Sequence, residues 1–271
     1  MNFLNQAKAT QTQSLLSKVP EVTLYFWIVK VLTTAMGEST SDYLVYHFNP
    51  YLAVILGAFG FAVALVIQFR ARRYVAWIYW LLVVTVSIFG TMAADVVHIV
   101  LGVPYVASVC FFALSLAILF ILWQRVEGTL SIHSIYTPRR EFFYWAVVLA
   151  TFALGTATGD WTAMSLHLGY LGSGLLFTGL FLLPGLLFWA RGLNGIAAFW
   201  STYVMTRPFG ASFADWMGKP HAAHDLGYGS GVVSLALTAL IIIFVGYLSM
   251  SKKDSPAAGK LSDDNEPDSI D

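Results

Sequence analysis

Charge is what this sequence has least of. Only 11% of its 271 residues are Asp, Glu, Lys or Arg, against about 25% in an average soluble domain. Fifteen basic residues balance fifteen acidic ones. No basic excess marks a nucleic-acid partner, and none is expected. Cysteine is all but missing. Cys110 stands alone, which excludes an internal disulfide, a CxxC redox pair, a CxxCH haem attachment and a Cys-rich metal site. The opening stretch MNFLNQAKATQTQSLLSKVP has no apolar core followed by a cleavage site, so no signal peptide is expected.

What is abundant is apolar surface. The chain is 58% hydrophobic with a mean hydropathy of +0.69, and it carries nine Trp, thirteen Tyr and twenty Phe. A soluble fold of this size lacks the interior to hide so much, so a lipid bilayer is the expected partner for the rest. Stretches near the 20 or so residues that cross a bilayer fall at 21–42, 51–69, 74–98, 104–123, 141–165, 170–190, 196–217 and 228–249. The spacing predicts an all-α polytopic membrane protein with eight transmembrane helices. Arg70, Arg72, Arg73, Arg125, Arg139, Arg140 and Arg191 punctuate alternate breaks, on the same side as Lys8, Lys18, Lys252, Lys253 and Lys260. The positive-inside rule then puts both termini in the cytoplasm. The acidic tail 251–271 reads as disordered and solvated.

An internal repeat orders the spans. Trp27, Gly37 and Asp42 are spaced ten and five apart, and the spacing returns at Trp80, Gly90 and Asp95, at Trp145, Gly155 and Asp160, and at Trp200, Gly210 and Asp215. Chance predicts roughly 0.03 such occurrences in a chain of this composition. Each unit reads as a helical hairpin, with Trp, Gly and Asp on its first helix. Four parallel two-helix repeats around a pseudo-symmetry axis along the membrane normal are expected. The boundaries fall at 1–20 for a cytoplasmic segment, 21–70, 71–125, 126–191 (with a cytoplasmic loop at 126–140) and 192–250 for the repeats, and 251–271 for the tail.

The segments KVPEVTLYFWIVKVLTTAMGESTSD (18–42), SIHSIYTPRREFFYWAVVLATFALGTATGD (131–160) and RPFGASFADWMGKP (207–220) resemble a bacterial multipass membrane family defined by a fourfold repeat of unknown function. Its members are often called uncharacterised membrane-anchored proteins. The resemblance covers about residues 18–250 and implies a bacterial inner-membrane location. It implies no activity, so chemistry has to come from the residues.

A carboxylate in a spanning helix is costly and usually faces the bundle interior or a wet cavity. Asp95 lies 22 residues past Arg73 and Asp160 lies 20 past Arg140, or about 30 Å of helix, near the outer edge of the hydrocarbon. Asp42, Asp95, Asp160 and Asp215 share one repeat position and are expected to bind an ion around one mouth. Taken singly, each also fits a solvated helix end or cap. Lys30, Thr34, Gly37, Glu38 and Asp42 fall within an arc of about 140° at 100° per residue. Arg207 takes the Thr34 position in the last repeat. Glu38 is read as an added ligand, and Lys30 and Arg207 as countercharges. Gly37, Gly90, Gly155 and Gly210 are expected to break their helices and free carbonyls beside the carboxylates, or else to let helices approach closely. His47, His98, His167, His221 and His224 follow the repeat aspartates and are candidates for groups that support the ion's ligands from behind, or for a proton relay. The Trp column and the tyrosines that open the second helix of each unit (Tyr51, Tyr105, Tyr170 and Tyr228) read as aromatic belts at the two interfaces.

These features favour a cation transporter with no tightly bound cofactor and no enzymatic role. A mixed carboxylate and imidazole set suits a divalent transition-metal ion as substrate, with export of a manganese-like ion foremost. A proton- or pH-gated channel and a non-transporting scaffold are the alternatives. An intramembrane protease is disfavoured: Ser212 sits at the repeat position of Ser39, and Ala157 replaces the first Gly of a GxGD signature. The oligomeric state stays open.

Overall fold

In the computed structural model, residues 17–220 and 225–256 are described. The expectations on His221, His224, Lys8, Lys260 and most of the acidic tail lie outside the described residues. Eight long helices follow in order: α1 Leu24–His47, α2 Pro50–Arg70, α3 Ala76–Asp95, α4 Tyr105–Glu127, α5 Pro138–Asp160, α6 Gly169–Arg191, α7 Gly195–Gly218 and α8 Ser230–Ser251. Single π-helical turns, Val96–Val100 and Trp161–Ser165, extend α3 and α5. The starts are chemical. Asn49 and Asn194 each accept backbone N–H bonds from the first turns of α2 and α7, and Thr137 does so for Arg140 of α5. These caps satisfy donors that a helix N-terminus leaves unpaired. Gly128 and Gly192 close α4 and α6 with φ of +72° and +65°, a backbone region that a side chain disfavours.

Six of the eight helices, α2 to α6 and α8, are long and apolar enough to cross a membrane. α1 and α7 fall outside that group, and they hold Lys30, Glu38 and Asp42, and Arg207 and Asp215. Their polarity has a structural reason: they are inner helices. In α2, α4 and α6 only 17% of the spanning window is buried by protein, against 61% in α5. The even-numbered helices show Leu, Ile and Phe outward (Ile55, Phe59, Leu114, Leu182 and Leu235 among them), as helices bathed in lipid would.

The odd-numbered helices form a closed ring, α1 packing on α3, α3 on α5, α5 on α7 and α7 back on α1. Each outer helix leans mainly on the next inner one: α2 on α3, α4 on α5, α6 on α7, and α8 on α1. The repeat glycines explain the closeness. A Cβ on Gly37 would overlap Ser87, one on Gly90 would lie 2.6 Å from the Phe152 Cβ, one on Gly155 would overlap Arg207, and one on Gly210 would overlap Thr34. Each intruding residue lies three positions before its own helix's glycine, so one contact repeats around the ring. The helices run through Gly37, Gly90, Gly155 and Gly210 without a break. The expected helix breaks are therefore points of close approach, because backbone hydrogen bonding is retained while the missing side chains admit a neighbour.

The Trp column also differs from expectation. Trp80, Trp145 and Trp200 are buried, as are Tyr79, Tyr144 and Tyr203 beside them, and Trp27 is half-buried. Trp200 packs on Phe120 and Trp123 of α4, and Trp27 on Phe181 of α6. Every inner helix carries an aromatic–Trp pair (Phe26–Trp27, Tyr79–Trp80, Tyr144–Trp145, Phe199–Trp200) at 5.0–5.1 Å between centroids and near 80–90° between planes. Edge-to-face packing is the favoured geometry of such rings. At the Arg-rich end Trp27 and Trp200 thus pack between inner and outer helices instead of lining a lipid interface.

Two terminal segments close that end. Lys18 forms a buried 2.6 Å ion pair with Glu141, whose other oxygen accepts from Gln68 at 3.0 Å. After α8, residues 252–256 turn back, and the amide of Glu21 donates to the Asp254 carbonyl at 2.9 Å. The start of the expected solvated tail is therefore docked, with Asp254 buried.

Candidate functional site

Glycine at the repeat position and Thr or Ser nearby leave a narrow polar core within the ring. Arg207 of α7 is fully buried there. Its Nη2 donates to Glu38 Oε2 at 2.6 Å and to Thr156 Oγ1 at 2.8 Å, and its Nη1 donates to the Thr34 carbonyl at 3.0 Å. The Thr91 hydroxyl completes the set: its oxygen shares the Nη2 protons with the other two acceptors, and its own proton goes to the Ser87 carbonyl at 3.0 Å, with Glu38 Oε2 3.4 Å away. One guanidinium therefore joins all four inner helices. Thr91 and Thr156 stand at the repeat position of Glu38, so the hydroxyls of two repeats serve the ion pair of the other two. Buried ion pairs need their remaining donors and lone pairs satisfied. The threonines and the Thr34 carbonyl do this for the Arg207 amino groups, while its Nε is left without a partner.

Lys30 lies one helical layer further toward the Arg-rich end. It is fully buried, its Nζ has no hydrogen-bond partner, and it sits over the rings of Phe152 and Tyr203 at 4.0 and 4.2 Å. The Arg207 guanidinium carbon lies 5.3 Å from the same Phe152 ring. Ring faces attract a cation most when water is excluded. Arg207 thus holds Glu38, while Lys30 has only ring faces for neighbours in this inner cluster.

The repeat aspartates form a second cluster at the opposite end. Lys219, just past α7, pairs with Asp42 at 2.8 Å and reaches Asp215 at 3.5 Å. Burial opposes its charge, but Asp215 and Asp42 outweigh that and hold the ammonium above the usual lysine range. Asp95 and Asp160 are half-buried. The charge of Asp95 is within electrostatic reach of Glu38, Asp160 and Asp42, and that of Asp160 within reach of Glu38, Lys219 and Asp42. The four carboxylates therefore share one neighbourhood, with Lys219 as their near cation.

The described histidines His47, His98 and His167 do not join it. His47 is exposed and stacked on Tyr43, with Nδ1 against that residue's carbonyl at 2.9 Å. His98 packs on Tyr105 at 4.4 Å, its Nδ1 3.4 Å from the Val103 carbonyl. His167 is an exposed turn residue with φ of +56°. Among the described residues no three His, Cys, Asp or Glu side chains lie together as a metal ion requires. The imidazoles of His47 and His98 thus cap and pack the turns at the aspartate end.

Several of these residues were invisible to spacing arguments. Lys219 showed only as a basic residue in a loop, although its offset of four from Asp215 was a signal for the pairing. Thr91 and Thr156 showed only as the residues that replace Glu38. Nothing local marked Gln68 or Lys18 as partners of Glu141.

Neither curated proteins nor solved structures give a match to this chain. A family model does, four times over, at residues 25–74, 78–129, 143–192 and 198–254. Together these segments take in nearly the whole helical bundle. With its apolar outer helices and its fourfold internal repetition, the chain belongs to the family of the Repeat of Unknown Function (DUF347).

Proposed function

We propose that this protein carries a small cation across a bacterial inner membrane through the interior of the α1–α3–α5–α7 ring, and that the cation is a proton. In this reading all eight helices span the bilayer, α1 and α7 shielded from lipid by the others. Four two-helix repeats surround a pseudo-fourfold axis along the membrane normal, which the cyclic glycine contacts favour. The Arg-rich end and both termini lie in the cytoplasm, and the aspartates line the outer mouth.

The carrying observation is the Arg207–Glu38 pair hung across the ring axis, with the caged Lys30 beneath it. Ionisable groups inside a membrane bundle are expensive and mark ion or proton pathways. The divalent ion favoured by composition finds no three-ligand group among the described residues, whereas a proton needs only single carboxylates in electrostatic contact. Asp95 and Asp160, which have no salt bridge among the described residues, are the groups best suited to load it.

The test is flux through purified protein in liposomes that enclose a pH dye, driven by an imposed potassium diffusion potential. Wild-type protein acidifies the lumen faster than empty liposomes do. Asp160→Asn, inserted to the same level, loses at least tenfold of that excess rate. A wild-type rate equal to that of empty liposomes rejects proton transport.

A further inference from the structure

Below the inner cluster the ring is closed by aromatic side chains, but three of them bring hydroxyls. Tyr79 of α3, Tyr144 of α5 and Tyr203 of α7 are all fully buried. The Tyr79 and Tyr144 hydroxyls are hydrogen-bonded at 2.5 Å. The Tyr203 hydroxyl lies beside that of Tyr144 but makes no hydrogen bond of standard geometry, and its ring carries the Lys30 ammonium on one face. At the other end the Tyr79 ring meets Tyr74 edge-on at 5.8 Å, and the Tyr74 hydroxyl donates to the Asp254 carboxylate at the Arg-rich face. Phenylalanine would fill this space without burying three polar groups, which are costly to desolvate.

We propose that the hydroxyls of Tyr203, Tyr144, Tyr79 and Tyr74 form a proton relay from the caged Lys30 ammonium to the Asp254 carboxylate. This rests on the transport reading and supplies its inner half. Lys30 gives up one N–H proton to the Tyr203 oxygen. Each hydroxyl in turn passes its own proton toward the Arg-rich face as it gains one, so every O–H bond broken is replaced. The last O–H bond forms on Asp254, and Lys30 is left as a neutral amine. It is recharged from the side of Glu38 and the aspartates. The groups facing this path are Lys30 and Glu38 from α1, Tyr79 from α3, Tyr144 from α5, Tyr203 and Arg207 from α7, then Tyr74 and Asp254. The hydrogen bonds of Tyr79 with Tyr144 and of Tyr74 with Asp254 are in place. The steps from Lys30 to Tyr203, from Tyr203 to Tyr144 and from Tyr79 to Tyr74 require ring or side-chain rotation, fast beside the proton transfers themselves.

The experiment is the liposome flux assay with Tyr144→Phe, which keeps the ring and removes one oxygen. Flux falls at least tenfold while the thermal unfolding temperature in detergent stays within a few degrees. Wild-type flux slows more than twofold in heavy water. Tyr144→Phe flux within twofold of wild type overturns the relay and leaves the transport reading standing. Should that variant fail to insert, Tyr79→Phe breaks the same bond from its other side. A heavy-water effect near unity on wild type also overturns the relay. A wild-type protein that moves no protons overturns both.

Discussion

The two ends of the inner ring are built from the same repeat yet filled by opposite chemistry. Toward the Arg-rich face each helix contributes a pair of interlocked aromatic rings, and the interior is solid. Toward the aspartate face the same helices contribute Gly, Thr, Ser and carboxylates, and the interior is held by charge. Rings need only volume to be stable together. Charges in the same surroundings need partners, and Arg207, Glu38, Thr91 and Thr156 are each other's. The polar half is thus the less replaceable of the two, and substitutions there carry the larger effects.

The largest is expected at the ion pair. Arg207→Met leaves Glu38 buried without its cation, which costs about 3–5 kcal/mol. Thermal unfolding in detergent should drop accordingly. Adding Glu38→Gln to the same chain should restore most of the loss, since removing both charges leaves little to desolvate. If the double variant is as unstable as the single, the pair is not the unit described here.

Next in size is the ring contact. Gly210→Val drives a side chain into Thr34 and should destabilise the fold by about 1–3 kcal/mol as an overpacked interface. Gly246→Ala in α8 meets nothing within 4 Å and serves as the control, with no loss expected by the same melting assay. Equal effects at both positions would contradict the close approach.

Smaller again is the outer cluster. Lys219→Met removes the near cation of Asp42 and Asp215, but the lysine side chain is 24% exposed, so solvent limits the loss to about 1 kcal/mol. A greater loss than at Arg207 would reverse the ranking of the two clusters.

The smallest effect concerns pH at the docked tail. Burial raises the Asp254 carboxyl above its usual range, and the Tyr74 hydrogen bond only partly offsets that. A carboxyl whose pKa is higher when docked favours docking below that value and disfavours it as pH rises through it. Amide exchange at Glu21, which donates to the Asp254 carbonyl, should be better protected at mildly acidic than at neutral pH after correction for intrinsic rates. Asp254→Asn should abolish the difference. Protection that grows with pH would contradict the burial argument.

The helices were legible because each signal was local. Apolar runs mark lengths, and the arginines mark alternate breaks. Expected and observed bounds accordingly agree within a few residues, apart from α1, which runs on past Asp42 to His47. The repeat was legible because Trp, Gly and Asp are scarce enough to be counted. What the repeat left undetermined is the direction of each side chain around the ring. A Trp ten residues before a Gly looks the same whether it faces lipid or Tyr79. A Gly that frees a carbonyl has the same letter as one that admits Phe152. Which of Lys30 and Arg207 meets Glu38 depends on the packing of α7 against α1, a contact between residues about 170 positions apart.

The claim that the aspartates share a wet mouth is open to a direct measurement. With the lone Cys110 replaced by Ser, single cysteines are placed by Asp95→Cys, Asp160→Cys and, in the aromatic half, Val83→Cys and Val148→Cys. Intact cells are then exposed to a membrane-impermeant thiol reagent. Labelling at 95 and 160, with none at 83 and 148, is the predicted result. Protection of 95 and 160 to the level of the two valine positions would contradict the account, because carboxylates sealed from water cannot receive an ion.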